Sequence, residues 1–216
     1  MNWKIWKTDP DPNLCDWTLS TSTDSVSATA SLYPLCPAAG ESDRRKRQCL
    51  SRQCRFRDVQ RDLKDDIQTI VDRGITDVMV LMQHSEFRKY RVPDILEKYN
   101  EAGLIVHHHE MEDGTVPSLH QLFHSVQTLE ATIARGGRVL VHCYGGLGRT
   151  CLLVASLLMT LDPRMSPEAV IRLMRDKRGP RAVQTVRQYN TIMEFRAIEE
   201  SYTREMREAR SRSVSR

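Results

Sequence analysis

Val139-Leu-Val-His-Cys143-Tyr-Gly-Gly-Leu-Gly148-Arg149-Thr150 reads as an apolar strand, a cysteine, a five-residue loop with three glycines, and the arginine and threonine that open an apolar helix, Cys151 to Leu161. Glycines at 145, 146 and 148 let a short loop fold back so that successive backbone N–H groups converge on one cavity at a helix N-terminus. Such a nest suits a dianion. Cys143 stands at its base, where the helix and amide dipoles favour the thiolate. The cradle would be formed by Tyr144, Gly145, Gly146, Leu147 and Gly148, closed by Arg149, whose planar fork can hold two oxyanion oxygens as a lysine cannot. His142 is expected to orient the loop by hydrogen bonding, since a thiolate needs no base. Thr150 can donate to the sulfur and improve it as a leaving group. A nucleophile, a cradle for equatorial oxygens and a matched cation are the parts that covalent phosphoryl transfer needs.

Outward from this segment the pattern is regular. Leu63, Ile67, Ile70 and Val71 share a helical face that stops at Gly74, and Ile75 to Met82 is a β-branched run of strand length. Pro93 opens an amphipathic stretch with Ile95, Leu96 and Tyr99 that ends at Gly103, and Leu104 to His109 resumes as a strand. Pro117 can occupy the first turn of a helix carrying Leu119, Leu122, Phe123, Val126 and Leu129. Ser166-Pro167 reads as an N-cap with proline at the first helical position. A long last helix is expected from about Val183, with Tyr189, Ile192, Phe195, Ile198 and Tyr202 near one side. Helices alternating with short apolar strands imply an α/β fold with a central, mainly parallel sheet flanked by helices.

The chain has 216 residues, a formal net charge of +4 and 40% hydrophobic residues, which excludes a disordered or collagenous chain. The apolar run 151–161 is too short to span a membrane, which takes about 20 residues. Met1 to Pro12 does not read as an export signal. Six cysteines are few for a disulfide scaffold of this length, so free thiols and a cytoplasmic or nuclear setting are expected. Cys36, Cys49 and Cys54 lack a matching second pair for zinc. Residues 1–53 read as mostly flexible, with a Ser/Thr-rich stretch from 18 to 30 and the basic cluster Arg44-Arg45-Lys46-Arg47, and 204–216 as a basic tail, leaving 54–203 as the catalytic domain. Nucleic-acid binding would rest on modest charge without aromatic interleaving, and is not expected.

His142-Cys143-Tyr-Gly-Gly-Leu-Gly-Arg149-Thr150 resembles the signature loop of the cysteine-dependent protein tyrosine and dual-specificity phosphatases. Cys54-Arg-Phe-Arg-Asp-Val59, Lys89-Tyr-Arg-Val-Pro93, His107-His-His109, Asp113-Gly114 and Val183-Gln-Thr-Val-Arg-Gln-Tyr-Asn190 make it similar to the kinase-associated branch of that family. The resemblance implies a dual-specificity phosphatase fold and a cysteinyl-phosphate intermediate, with Asp113 as general acid. It implies Gln184 as the residue that positions hydrolytic water, although Gln184 and Gln188 could equally be a cap and a solvent-facing residue. It also implies a phosphoprotein substrate, a cyclin-dependent kinase phosphorylated on its activation segment. No cofactor or metal is implied, and a monomer is expected. Three consecutive histidines of a strand cannot all face one ion, so His107–His109 read as packing. Cys151 reads either as core or as a resolving thiol for Cys143. The competing readings are a phosphatase-like module that binds without hydrolysing, and a sulfur-transfer or arsenate-reducing enzyme; Asp113 as a leaving-group acid favours ester hydrolysis over the latter.

Overall fold

The computed structural model describes strand residues 3–6, 15–21 and 27–32 and the continuous stretch 63–214, with side chains for 63–212. The strands are β1 (Trp3–Trp6), β2 (Cys15–Thr21), β3 (Ser27–Leu32), β4 (Asp77–Val80), β5 (Ile105–His108) and β6 (Val139–His142). They form one sheet in the order β1-β2-β3-β6-β4-β5. β3, β6, β4 and β5 are parallel neighbours, while β1 and β2 extend the sheet in antiparallel fashion. β6, which feeds the cysteine loop, is therefore an inner strand.

Side-chain alternation explains why β4 and β6 read as unbroken apolar runs. Met79, Leu81, Val139 and Val141 face one core, while Val78, Val80, Met82 and Leu140 face a second core on the other side of the sheet. With both faces covered, every position is buried. The second core is closed by α1 (Leu63–Asp72), α2 (His84–Lys89) and α3 (Ile95–Glu101), through Ile67, Ile70, Phe87, Ile95 and Tyr99. The first is closed by α4 (Leu119–Ala134), α5 (Arg149–Leu161), α6 (Pro167–Arg178), α7 (Val186–Met193) and α8 (Phe195–Val214). None of these described helices is long and apolar enough to cross a membrane.

Several expectations need correction. The segment 1–53 contains β1, β2 and β3, and β3 pairs with β6 at Ala30↔Val139 and Ser31↔Leu140. Its Ser and Thr content suggests flexibility, but threonine, tryptophan and isoleucine favour the extended backbone, and an antiparallel edge can leave one face in water. The basic cluster 44–47, Cys36, Cys49, Cys54 and the stretch 54–59 lie outside the described residues. Pro117 is not in the first turn of α4; Ser118 caps that helix, with its hydroxyl accepting from Gln121 N–H in a capping box. The last helix starts later and is broken. Thr185 and Gln188 form the capping box of α7, and the chain turns at Glu194 before α8. The tail from 204 continues α8 to Val214, where Glu208 and Arg212 sit at the helix-stabilising i,i+4 spacing. As expected, Ser166 caps α6 with Pro167 in its first turn, and that helix buries Val170, Ile171 and Met174.

Candidate active site

Cys143 leaves β6 buried at 3% exposure, and its Sγ accepts the Gly146 N–H at 3.3 Å. The peptide that follows is held as well. The Gly146 carbonyl accepts from Arg178 Nε at 3.3 Å and from Cys151 Sγ at 3.4 Å, which fixes the Gly146–Leu147 peptide at its carbonyl end. Gly146 has φ 64°, a left-handed conformation that costs glycine nothing. At Gly148 the constraint is space, because a Cβ there would lie 2.6 Å from Gln184 Oε1 and 3.1 Å from Gln188 Nε2. The far wall is as tight. Val183 N–H donates to Leu147 O at 2.8 Å from a φ of 63°, a strained conformation for a β-branched residue.

Arg149 opens α5 and is 1% exposed. Nη1 donates to Glu86 Oε2 at 2.6 Å, to Met111 O at 3.0 Å and to Leu81 O at 3.3 Å. Nη2 donates to Glu86 Oε1 at 2.9 Å and pairs with Asp113 Oδ1 at 3.1 Å. The Nη1/Nη2 edge is thus spent on Glu86. Nε is buried and has no hydrogen-bond partner among the described residues. The Nε/Nη2 edge is therefore the one with capacity for two oxygens of an anion. Burial pushes the Glu86 carboxyl up, but the Arg149 hydrogen bonds, the Gln83 N–H and the arginine charge outweigh it and hold Glu86 below its usual range. Burial disfavours the Arg149 cation, and the hydrogen bond to Glu86 together with the nearby Cys143, Glu86 and Asp113 charges more than restores it.

Asp113 lies on the loop between β5 and α4 with its side chain 63% exposed. Two backbone contacts tie this loop down. Met111 N–H donates to Leu81 O at 3.1 Å, and Gln188 Nε2 donates to Thr115 O at 3.3 Å. Gln188 is fully buried, and its Oε1 accepts from the N–H groups of Gln184 and Thr185, which makes it the cap of α7. Gln184 is exposed and stands over Gly148.

His142 is completely buried, with Nδ1 3.4 Å from Cys143 O and Nε2 3.2 Å from the Tyr99 hydroxyl. A carbonyl only accepts, so Nδ1 carries the proton and Tyr99 O–H donates to Nε2. Desolvation pushes the imidazole down to about 4, against the opposing effect of the Cys143 carbonyl, so the ring is neutral. Tyr144 stacks on Tyr90 with ring centroids 4.0 Å apart and 11° between planes. The expected donation from Thr150 to the sulfur is not made: its Oγ1 is buried and has no hydrogen-bond partner among the described residues. The sulfur takes its hydrogen bond from Gly146 instead. The three histidines diverge, His107 to Asp77, His108 to the Met82 carbonyl and His109 to Ser125.

Cys143, Arg149 and Asp113 thus meet at one end of the sheet. Sequence reasoning missed Glu86, Arg178 and Tyr99. Arg178 had one signal, its place immediately before the helix-ending Gly179, whose φ is 90°. Glu86 and Tyr99 had none, since their partners lie 63 and 43 residues away.

Residues 41–171 match the family model Cyclin-dependent kinase inhibitor 3 (CDKN3). The protein of that name from Sus scrofa is 42% identical over 163 residues, 76% of this chain and 76% of that protein. The one from Homo sapiens is 40% identical over the same shares. Among solved structures, kinase associated phosphatase with its catalytic-site cysteine substituted by serine superposes with a TM-score of 0.69 at 34% identity, covering 88% of this chain and 97% of that one.

Proposed function

Because the chain belongs to the cyclin-dependent kinase inhibitor 3 family and is a cysteine-dependent phosphatase of the protein tyrosine and dual-specificity type, we propose that it dephosphorylates the activation segment of a cyclin-dependent kinase and so regulates the cell cycle. Its substrates are phosphothreonine, phosphoserine and phosphotyrosine in protein. It works as a monomer in the cytoplasm or nucleus. The loop interior, Tyr144 to Leu147, carries no lysine, and its tyrosine lies flat on Tyr90. That rim offers an aromatic surface to a peptide rather than extra charge to an inositol headgroup.

In this reading the Cys143 thiolate attacks phosphorus as the bond to the ester oxygen breaks. The amides of Tyr144 to Gly148 and the Nε/Nη2 edge of Arg149 hold the three equatorial oxygens, and Asp113 gives its proton to the departing oxygen. The incoming phosphoryl group competes with Asp113 for Nη2, which frees the acid to turn toward the leaving group. Gln184 then orients a water that loses a proton to Asp113 as it attacks the cysteinyl phosphate, releasing inorganic phosphate and the thiolate. His142 holds the loop, and a turn about the Thr150 side chain would bring its hydroxyl to the sulfur. The observation that carries the proposal is the Gly146 N–H directed at Cys143 beside a buried guanidinium whose Nε–H has no partner among the described residues. Cys143→Ser should abolish aryl phosphate turnover with an unchanged circular dichroism spectrum, and as a trap it should retain phosphorylated cyclin-dependent kinase over other phosphorylated kinases. Retained turnover would reject the nucleophile; indifferent capture would reject the substrate.

A further inference from the structure

At the edge of this site, three side chains from two separated segments converge on one point. His84 begins α2, His108 ends β5, and Glu110 follows β5 on the loop that leads to Asp113. Glu110 Oε1 is 3.6 Å from His84 Nε2 and 3.8 Å from His108 Nε2. One ligand atom from each residue lies within 4.8 Å of the other two. The His84 and His108 rings meet edge to face, with centroids 4.8 Å apart.

We propose that His84, His108 and Glu110 form a binding site for a divalent transition-metal ion of the Zn2+ class. Two imidazoles and one carboxylate are a donor set that such ions take, with bonds of about 2.0–2.2 Å and hence ligand atoms about 3.3 Å apart in a tetrahedron. Closing the cluster to that size takes shifts of a few tenths of an ångström on the two short edges and up to about 1.5 Å on the third. Most of the movement falls to the accessible side chains, His84 at 71% and Glu110 at 42% exposure, with His108, at 17%, moving least. His108 Nε2 now lies 2.7 Å from the Met82 carbonyl and donates to it. Coordination through Nε2 requires the other tautomer, so that proton moves to Nδ1 through solvent, with no net change in charge. The ion then takes the place of that proton on the Nε2 axis, so the ring turns away from the Met82 carbonyl to make room, and water completes the shell.

The placement gives the site a consequence. His84 is two residues before Glu86, which grips Arg149, and Glu110 is three before Asp113. A shared ion would tie the start of α2 to the acid-bearing loop. Of the histidine run only His108 takes part, so the argument against three adjacent ligands does not apply.

The test is Zn2+ titration of the full chain carrying Cys143→Ser, against a chromophoric chelator, with Co2+ absorption to read the ligand type. One equivalent should bind without thiolate-to-cobalt charge transfer. Its affinity should weaken at least about tenfold in both H84A and E110Q, and stay unchanged in E112Q, which removes a neighbouring exposed carboxylate. Equal affinity in either H84A or E110Q, equal weakening in E112Q, thiolate ligation, or no binding at micromolar free Zn2+ would each overturn the proposal.

Discussion

The two loops that meet at Arg149 are built in opposite ways. The loop from Cys143 to Arg149 is buried and braced from several sides, by Arg178 on Gly146, Val183 on Leu147, Glu86 on the arginine and Tyr99 behind His142. The loop from Glu110 to Val116 buries Met111 but leaves Glu110, Glu112 and Asp113 exposed, and holds the Asp113 side chain through one contact to Arg149 Nη2. An oxyanion cradle must be rigid before the charge arrives, because donors that reorganise during the reaction lose much of their stabilising power. The acid meets the leaving oxygen and then the incoming water at the same position opposite the sulfur, and has to give up its pairing with Arg149 to serve them. The structure separates the two requirements into two segments.

Arg149→Lys should break the rigid half most severely. It keeps a charge but loses the fork, and removal of two donors worth about 10²–10³-fold each gives a fall in kcat of about 10⁴–10⁶-fold. Chemical denaturation should show a lost Glu86 partner as well, since disrupting a buried ion pair costs about 3–5 kcal/mol. Asp113→Asn tests the exposed half, with kcat falling about 10²–10⁴-fold. Its stability should stay within about 0.5 kcal/mol of the parent, as for other exposed positions. Equal destabilisation by the two variants would erase the distinction between the loops.

A pH series sharpens it further. The His142 imidazole is held neutral in the fold down to about 4, against an ordinary value of 6.5. Between those values the unfolded chain takes up a proton that the native protein does not, so stability falls as pH drops from 6.5 toward 4. The full effect is about 3 kcal/mol, at 1.36 kcal/mol per pH unit, and His142→Asn should flatten that slope in urea titrations. The smallest effect belongs to Arg178→Gln. Letting the Gly146–Leu147 peptide, whose N–H belongs to the cradle, tilt should lower kcat about tenfold with KM little changed, and Arg178→Lys should recover part of it. A change in KM alone would contradict a role in aiming the amide.

Legibility in sequence follows range of interaction. Cys143, the loop glycines and Arg149 sit within seven residues, so their chemistry is readable as one string. The helices with clear periodicity, α1, α3, α4 and α5, and the buried strands were readable because apolar spacing is local. α2 was not, since six residues are too few to show a period. β2 and β3 hid behind serine and threonine, whose strand preference emerges only when a neighbour such as β6 supplies the hydrogen bonds. Glu86 looked like one more surface acid between His84 and Lys89. Its burial beneath Arg149 is a property of the tertiary fold, as is Tyr99 reaching His142 from α3.

The central claim is that the Cys143 sulfur itself carries the phosphoryl group between substrate and water. Asp113→Asn protein mixed with an aryl phosphate, quenched in acid within one turnover and digested, should yield a phosphorylated peptide containing Cys143. The same treatment of Cys143→Ser should leave that peptide unmodified. Phosphate on another residue, or steady turnover with no phosphorylated cysteine at any quench time, would contradict the account.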